Sequence, residues 1–330
     1  MKMTNALTVD VEEYFQVTGF NGKAPYSAWE SFESRVEPAT EKLLSLLAEH
    51  GVRGTFFIVG WVARRHPGVV RAIQKEGHEI ACHGYAHREI SDQTPEGFRS
   101  DVELAKKILE DITGEPVRGY RAPTFSITNR TMWALDILIE RDFRYDSSIF
   151  PIIHDRYGIP DAARFPNVIN RGNGNRIWEF PISTVRVMGV NLPFSGGGYM
   201  RVLPPSLVSR ALESINRKGQ PAIVYVHPWE LDPGQPRINA SPLTSVRHYH
   251  NISRMTRKLE YLLPRHKFAP VSEVLERYQQ EHSLETAGAG IAEAGLRSKN
   301  VAAPFAEPLA TGVPAGIGGP VGPNIRSSRP

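Results

Sequence analysis

Short apolar segments alternate with longer amphipathic segments from residue 6 to about residue 280 of this 330-residue chain. The β-branched and aromatic content of the apolar segments predicts strands at 6–11, 54–59, 79–82, 119–121 and 222–226. The helical spacing of apolar residues predicts helices at 38–50, 66–76, 94–112 and 128–141. Such alternation is typical of parallel βα units, so we predict an α/β fold, either a barrel or an open sheet.

Reactive side chains follow the ends of the predicted strands. Asp10, His83, Arg121, Asp146 and His227 all lie at or just past such an end. In a barrel of parallel strands these loops cluster on one face, so their placement favours a barrel over an open sheet. Residues 160–205 interrupt the pattern, and the glycines within them predict tight turns in an inserted, partly β region.

The chain divides by composition into a folded part and a tail. Residues 1–282 are predicted to form one folded domain. Residues 283–330 are rich in alanine, glycine and proline with few aromatic residues, which predicts a disordered tail.

Charge and cysteine content restrict the partners and the location. The net charge of +4 comes from interspersed charges with no Lys/Arg run, so we expect no nucleic-acid partner. Cys82 is the single cysteine, which excludes an intrachain disulfide. The first residues reach two acids before any apolar stretch, which argues against a secretory signal, and no run approaches the ~18 apolar residues of a membrane span. We therefore expect a cytoplasmic protein without a membrane span, and the sequence leaves its oligomeric state open.

The segment from His83 to His87 holds two histidines four residues apart. In a helical turn they would lie on one face, within reach of a single metal ion. Neutral imidazole suits zinc and other first-row divalent ions. The alternative is a pair of histidines with ordinary hydrogen bonds.

Three acids follow the first predicted strand. In extended backbone Asp10 and Glu12 point to one side, whereas Glu13 points to the other. Two carboxylates on one side could divide the work, since one can ligate a metal while the other takes a proton from water that the metal activates. The alternative is a solvated acidic turn, which the buried strand directly before it disfavours.

Two further segments carry candidate catalytic residues. His227 follows a late strand and could act as a general acid, because its pKa lies near the operating pH. Trp229 offers a flat apolar face that suits a sugar ring and core packing equally well. Arg121 could orient a catalytic carboxylate through a bidentate pair or form a structural salt bridge.

Taken in this order, the segments resemble the five motifs of the polysaccharide deacetylase family, carbohydrate esterase family four. The matching residues run from residue 8 to about residue 230, and they are Thr8-Val9-Asp10, His83 to His87, Arg121-Ala122-Pro123, Asp146-Ser147 and His227-Pro228. Residues 193–205 and 247–249 resemble a narrower branch that is associated with bacterial exopolysaccharide and exosortase loci. By this resemblance residues 1–282 form the catalytic domain, and about 150–282 are specific to the branch.

The resemblance implies a deformed (β/α) barrel with a groove across the carboxyl ends of its strands. It implies one divalent metal ion held by His83, His87 and one acid. Zinc is the expected ion, with cobalt or another first-row ion as alternatives. Asp10 would be the catalytic base, His227 the catalytic acid and Arg121 the residue that orients Asp10.

The remaining site residues follow from the same resemblance. A backbone N–H near Thr124 would help bind the oxyanion. Asp146, Tyr199 and Trp229 would line the substrate site.

The chain departs from the family pattern at three positions. Val11 replaces the second of two adjacent aspartates, so we expect Glu12 to ligate the metal, with Glu13 still possible. Gly84 replaces a serine or threonine in the second motif. The fourth motif lacks a clear acid to tune His227, which would therefore need another partner, either Glu230 or Asp232.

These features lead to one principal hypothesis and two alternatives. The first is hydrolysis of a carbon–nitrogen amide bond that releases acetyl groups, most simply the N-acetyl group of an amino sugar. Its substrate would be an acetylated polysaccharide or its precursor, in exopolysaccharide biosynthesis. The second is a carbon–nitrogen hydrolase acting on a small amide such as a ureide. The third is a degenerate sugar-binding module, which Val11 and the unclear fourth motif suggest.

Overall fold

The computed structural model describes residues 2–20, 22–172 and 174–282. The predicted tail at 283–330 and Asn173 of the glycine-containing turn at 171–175 lie outside the described residues. Among the described residues no helix has the length and apolar character that crossing a bilayer requires.

The described chain contains strands and helices in alternation. The strands are β1 (Thr4–Val11), β2 (Thr55–Ile58), β3 (Glu79–Cys82), β4 (Gly119–Tyr120), β5 (Tyr145–Asp146), β6 (Asn167–Gly172), β7 (Asn175–Glu179), β8 (Thr184–Val187), β9 (Val190–Pro193), β10 (Ile223–Val226) and β11 (Lys267–Ala269). The helices are α1 (Val36–Glu49), α2 (Gly60–Arg65), α3 (Pro67–Lys75), α4 (Pro95–Thr113), α5 (Ala134–Glu140), α6 (Gly197–Val202), α7 (Pro205–Asn216), α8 (Pro242–Tyr249) and α9 (Met255–Leu262). Residues 271–282 are also helical.

One mostly parallel sheet dominates the fold. Its order is β10-β1-β2-β3-β4-β5-β7-β6, with β11 added beside β1, and only the β6–β7 pair is antiparallel. Strands β8 and β9 form a separate antiparallel hairpin. This arrangement confirms the predicted α/β class with a deformed barrel sheet and an inserted, partly β region.

The two faces of the sheet belong to different buried clusters. Val9 and Val11 pack in the cluster that also contains apolar residues of α1 and α4. Ala6 packs with Phe57 in the second cluster on the opposite face. Because side chains alternate along a strand, Asp10 faces the same side as Ala6, which is the interior of the sheet.

Most predicted elements form where the sequence places them. Strand β3 covers the predicted residues, and α4 begins within one residue of its predicted start, after Thr94, whose hydroxyl accepts the Gly97 N–H at 3.1 Å. Helix α5 begins only at Ala134, later than the predicted residue 128. The Thr131 hydroxyl accepts the Thr128 N–H at 2.8 Å, and this local bond favours a turn over a helical start.

Helix α2 is absent from the sequence prediction, which has a single helix at 66–76. In the structure α2 and α3 are separated by His66, whose backbone is not helical, with a φ of −124° and a ψ of 60°. Pro67 then starts α3 at the first helical position, where its missing N–H costs nothing.

His78, directly before β3, is a buried titratable residue that accepts a backbone hydrogen bond. The Gly54 N–H donates to its Nδ1 at 3.1 Å, and the residue is 7% exposed. Burial, and then the charge of Arg53, lower the pKa of His78 from 6.5 to about 4. The unfolded chain therefore binds a proton that the folded chain does not between these two pH values.

We predict that His78 stabilises the fold above pH 6.5 and that this contribution is lost as the pH falls toward 4. The loss should reach roughly 1–3 kcal/mol in the free energy of unfolding. Replacement His78→Asn keeps an acceptor for the Gly54 N–H, so denaturant unfolding should show a weaker pH dependence. His50→Asn is the matched control, and an unchanged slope in the His78 variant would contradict the assignment.

Candidate metal centre and active site

The predicted reactive residues meet at one edge of the sheet because their strands run parallel. Asp10, Glu12, His83, His87 and His227 line a single cavity of about 300 Å³. The first four are buried, with at most 8% exposure. The interior face of the sheet therefore continues into a polar cavity at the carboxyl ends of the strands.

Glu12, His83 and His87 form a compact cluster. Their ligand atoms lie within 4.8 Å of one another, and Glu12 Oε2 contacts His87 Nε2. The Nδ1 atom of His83 lies 2.8 Å from the carbonyl oxygen of Arg121 and donates to it, which leaves Nε2 with its lone pair. Two imidazoles and one carboxylate are a common donor set for divalent zinc.

The protonation states of His83 and Glu12 also fit a divalent cation. Burial is the main reason that the pKa of His83 falls to about 4, so its ring is neutral near pH 7. Burial opposes the charge of Glu12, yet His87, His227 and His83 together lower its pKa well below the ordinary value. Neutral imidazole and ionised carboxylate are the forms that bind metals. The cluster is thus consistent with a divalent metal site.

A tight loop, not a helical turn, brings the two histidines together. Gly84 and His87 have φ values of 70° and 49°, so the helical turn considered for this segment does not form. The ring centroids of His83 and His87 nevertheless lie 5.2 Å apart. The loop is fixed from α4 by Asp101, whose carboxylate accepts the N–H groups of Tyr85 at 2.6 Å and Ala86 at 3.3 Å.

This geometry explains Gly84. Its positive φ favours glycine, and a Cβ at this position would lie 3.0 Å from Asp101 Oδ2. Asp101 therefore occupies the space that a serine or threonine side chain would need. No local sequence motif marks Asp101, so sequence reasoning missed it.

The structure distinguishes the two adjacent glutamates. Glu13 faces away from the cluster and accepts the N–H groups of Arg35 at 3.0 Å and Val36 at 3.3 Å, at the start of α1. Glu12 faces the histidines, and its Oε1 accepts the indole N–H of Trp229 at 3.1 Å. As expected, Glu12 is the acid beside the histidines, whereas Glu13 caps a helix.

Arg121 contacts Asp10 from within the interior of the sheet. Its Nη1 donates to Asp10 Oδ1 at 2.7 Å and to Thr8 Oγ1 at 2.8 Å. Its Nε and Nη2 bond the carbonyl and hydroxyl oxygens of Ser147 at 3.0 and 2.9 Å. The contact with Asp10 is therefore a single hydrogen bond rather than the predicted bidentate pair, because the rest of the guanidinium is used to hold the chain after β5.

Glu230 is the partner of His227. Its Oε2 lies 3.1 Å from His227 Nδ1 and also accepts the His227 backbone N–H at 3.1 Å. Arg201 approaches the other oxygen, with 2.7 Å between Nε and Oε1, as an ion pair without hydrogen-bond geometry. The alternative partner, Asp232, instead pairs with Arg35 at 2.8 Å.

These contacts favour the protonated, positively charged form of His227. Burial alone would lower its pKa, but the hydrogen bond and charge of Glu230, followed by Glu12 and Asp10, raise it to about 9. The free Nε2 lies 3.7 Å from Glu12 Oε1 and 3.9 Å from Asp10 Oδ2. His227 can thus present a proton to a group bound in the cavity.

Trp229 packs against neighbouring side chains more than it exposes a ring face to a sugar. It lines the cavity but is only 5% exposed. Its ring stacks on His227, with centroids 4.9 Å apart, and on His248, with centroids 4.2 Å apart. Through its hydrogen bond to Glu12 it also supports the Glu12–His83–His87 cluster.

The other predicted substrate residues lie in different places. Thr124 lines the cavity, with a φ of 55° and its hydroxyl 2.6 Å from that of Thr18. Tyr199 lines a neighbouring cavity. Asp146 is buried and appears in neither lining. Its carboxylate accepts the Ser148 hydroxyl at 2.5 Å, because β5 directs it into the protein beneath the site.

Two family models and several known proteins match parts of this chain. Residues 23–138 match the polysaccharide deacetylase family model, and residues 147–276 match a domain of unknown function, DUF3473. The chain is 32% identical over 98 residues to a peptidoglycan-N-acetylglucosamine deacetylase of Bacillus cereus, which covers 29% of this chain and 36% of that protein. It is 33% identical over 99 residues to a chitooligosaccharide deacetylase of Azorhizobium caulinodans, covering 29% and 47%. The matched segment therefore spans less than half of either relative.

Solved structures share the fold over a longer stretch. A Mycobacterium smegmatis protein assigned to the polysaccharide deacetylases superposes with a TM-score of 0.56 at 20% identity, covering 85% of this chain and 91% of that one. An allantoinase superposes with the same score at 18% identity and the same coverage. At these identities the superpositions establish the fold alone.

We predict that Asp101 sets metal affinity through the loop between the histidines. Asp101→Ala removes both acceptors and should weaken zinc binding roughly 10- to 100-fold, as loss of a supporting hydrogen bond does at other metal sites. Asp101→Asn keeps one acceptor and should lose less. Zinc titration against a competing chelator measures the effect, with Asp111→Ala on the exposed side of α4 as control. Equal affinity in all four proteins would refute this role.

Proposed function

Since this chain belongs to the polysaccharide deacetylase family and carries a DUF3473 domain, we propose that it is a metal-dependent hydrolase of acetylated carbohydrates. The bond cleaved is the amide of an N-acetylated amino sugar in a polysaccharide or its precursor, which releases acetate and a free amine. We also propose that the protein acts in exopolysaccharide biosynthesis and is located in the cytoplasm. The observation that carries it is the meeting of Asp10 and His227 beside the Glu12–His83–His87 cluster.

Glu12, His83 and His87 would hold the metal ion. When bound, a divalent cation supplies Lewis acidity, which polarises a carbonyl and lowers the pKa of nearby water. The donor set of two imidazoles and one carboxylate supports zinc, and cobalt is the first alternative.

Asp10 acts as the base in this proposal. Arg121 holds Oδ1 at 2.7 Å, so the carboxylate keeps one orientation and leaves Oδ2 toward His227 Nε2 at 3.9 Å. Asp10 accepts a proton from the water that attacks the acetyl carbon. An N–H near Thr124 stabilises the resulting oxyanion.

His227 acts as the acid. Its protonated ring, held through Nδ1 by Glu230, offers the Nε2 proton to the leaving nitrogen. Cleavage of the carbon–nitrogen bond then yields the amine, while the acetyl carbon leaves as acetate.

The alternatives predict different site features. The alternative hydrolase of small amides, in a form that works without metal, has no need for the buried cluster of two histidines and a glutamate. A degenerate sugar-binding module has no need for a base ordered by Arg121 or for an acid charged by Glu230. Both features therefore support the deacetylase over these alternatives.

We predict that Asp10→Asn lowers acetate release from N-acetylglucosamine oligosaccharides by roughly 100-fold or more, the usual contribution of a general base. The amide keeps an acceptor for Arg121, so metal content should stay near that of the wild type. Acetate is measured with a coupled enzyme assay, with and without chelation and re-addition of zinc. Full turnover in the Asp10 variant would remove Asp10 from the mechanism.

We also predict a specific effect of Glu230. Glu230→Gln keeps a hydrogen bond to His227 but removes the negative charge, so kcat should fall roughly 10- to 100-fold while KM changes little. Asp232→Asn, in the same turn, should leave kcat near the wild-type value. If both variants lose activity equally, the loss reflects the turn as a whole rather than the charge on His227.

A further inference from the structure

A second cavity of about 610 Å³ adjoins the first. The two cavities share part of their wall, which includes Arg156, Tyr157, Arg201 and Arg247. A carbohydrate chain with one unit in the first cavity would therefore place a neighbouring unit in the second.

The second cavity is positively charged. Three arginines line it, and among the described residues no carboxylate does. Arg201 is paired with Glu230 and Arg156 with Glu89. Arg247, by contrast, forms no ion pair with any residue in the described part of the chain.

Arg247 has a fixed backbone and an exposed side chain. The backbone oxygen of Arg247 accepts a bond from Arg201 Nη2 at 3.0 Å, which holds this part of α8 in place. Burial lowers the pKa of His154, and although Asp155 raises it, the charges of the nearby Arg156 and Arg247 lower it further. Asp155, which follows His154 in the chain, is paired with it, and its side chain is 82% exposed.

Aromatic side chains form another part of the wall. The hydroxyl oxygens of Tyr157 and Tyr199 lie 3.5 Å apart, and His154 stacks on Tyr157 with ring centroids 3.8 Å apart. The wall thus combines aromatic rings with hydroxyl groups that can donate to an anion.

The two cavities differ in their carboxylates, because Asp10 and Glu12 line only the first, whereas Arg156, Arg201 and Arg247 line both. Asp10 and Glu12 repel an anion at the first cavity but accept a neutral acetamido group. At the second cavity no carboxylate shares the wall with the arginines among the described residues, so they attract an anion and can bond it bidentately. This asymmetry would orient a substrate that carries both groups.

We propose that the second cavity binds a carboxylate or phosphate group of the substrate, carried on the unit next to the acetylated sugar, with Arg247 as its principal cation. This inference rests on the proposed deacetylase function and specifies its substrate class. The anion has two sources, an acidic sugar within the polymer or a phosphate at the reducing end of a precursor.

The test compares kcat/KM on three N-acetylglucosamine oligosaccharides of equal length. One is neutral, one alternates with glucuronic acid, and one is neutral with a phosphate at its reducing end. We expect one of the charged oligosaccharides to exceed the neutral one roughly tenfold, the size of a charge-assisted hydrogen bond. The preferred compound identifies the source of the anion.

The variant Arg247→Ala should reduce this preference to near unity, and added salt should weaken it. Arg257→Ala on α9 removes the same charge outside both cavities and should keep the preference. If the wild-type protein deacetylates the neutral oligosaccharide and prefers neither charged one, the inference is overturned and the proposed function stays intact.

If none of the oligosaccharides releases acetate, the proposed function fails, and calorimetric binding of the same three compounds decides the inference. Tighter binding of a charged oligosaccharide, lost in Arg247→Ala but kept in Arg257→Ala, supports the anion site. Equal binding of charged and neutral compounds overturns it.

Discussion

The buried guanidinium of Arg121 connects the parts of the site to the sheet. It is fully buried, bonds Thr8 and Asp10 on β1 and Ser147 after β5, and lies 4.2 Å from the ring centroid of Phe57 on β2. Its own carbonyl oxygen accepts the bond that orients His83. Arg121 therefore fixes both Asp10, the proposed base, and His83 of the Glu12–His83–His87 cluster. Removing one partner of such a buried pair typically costs about 3–5 kcal/mol, so the geometry of the proposed site and the stability of the strand ends depend on the same contact.

Two departures from the family pattern are explained by the geometry around them. Val11 faces the helices and is completely buried, because its position on β1 alternates away from the cavity. The acid that joins the histidines is therefore Glu12, which returns to the face of Asp10. In the histidine loop Gly84 leaves room for the carboxylate of Asp101, which supplies from α4 the hydrogen bonds that shape the loop. Both departures are therefore compatible with the Glu12–His83–His87 cluster, the first because Glu12 supplies the acid and the second because Asp101 shapes the loop.

The sequence predicted the parts of the structure that local patterns determine. Strand ends follow from apolar runs, so the meeting of Asp10, Glu12, His83 and His227 could be anticipated from their order along parallel strands. Contacts between distant segments could not. The capping of the histidine loop by Asp101, the choice of Glu230 over Asp232, and the stacking that encloses Trp229 all depend on how helices and loops pack over the sheet. Asp146 was placed in the site by its motif, but its side chain leaves the short strand β5 on the buried side.

The metal content of the protein tests most directly whether Glu12, His83 and His87 form a divalent metal site. Elemental analysis of the purified protein, after incubation with zinc or cobalt and removal of the free ion, should find about one ion per chain. The ion should be lost in Glu12→Gln and in the double variant His83→Ala/His87→Ala, but kept in Glu13→Gln, whose carboxylate caps α1 instead. No ion in the wild type, or an ion that persists in Glu12→Gln and the double variant, would contradict this account.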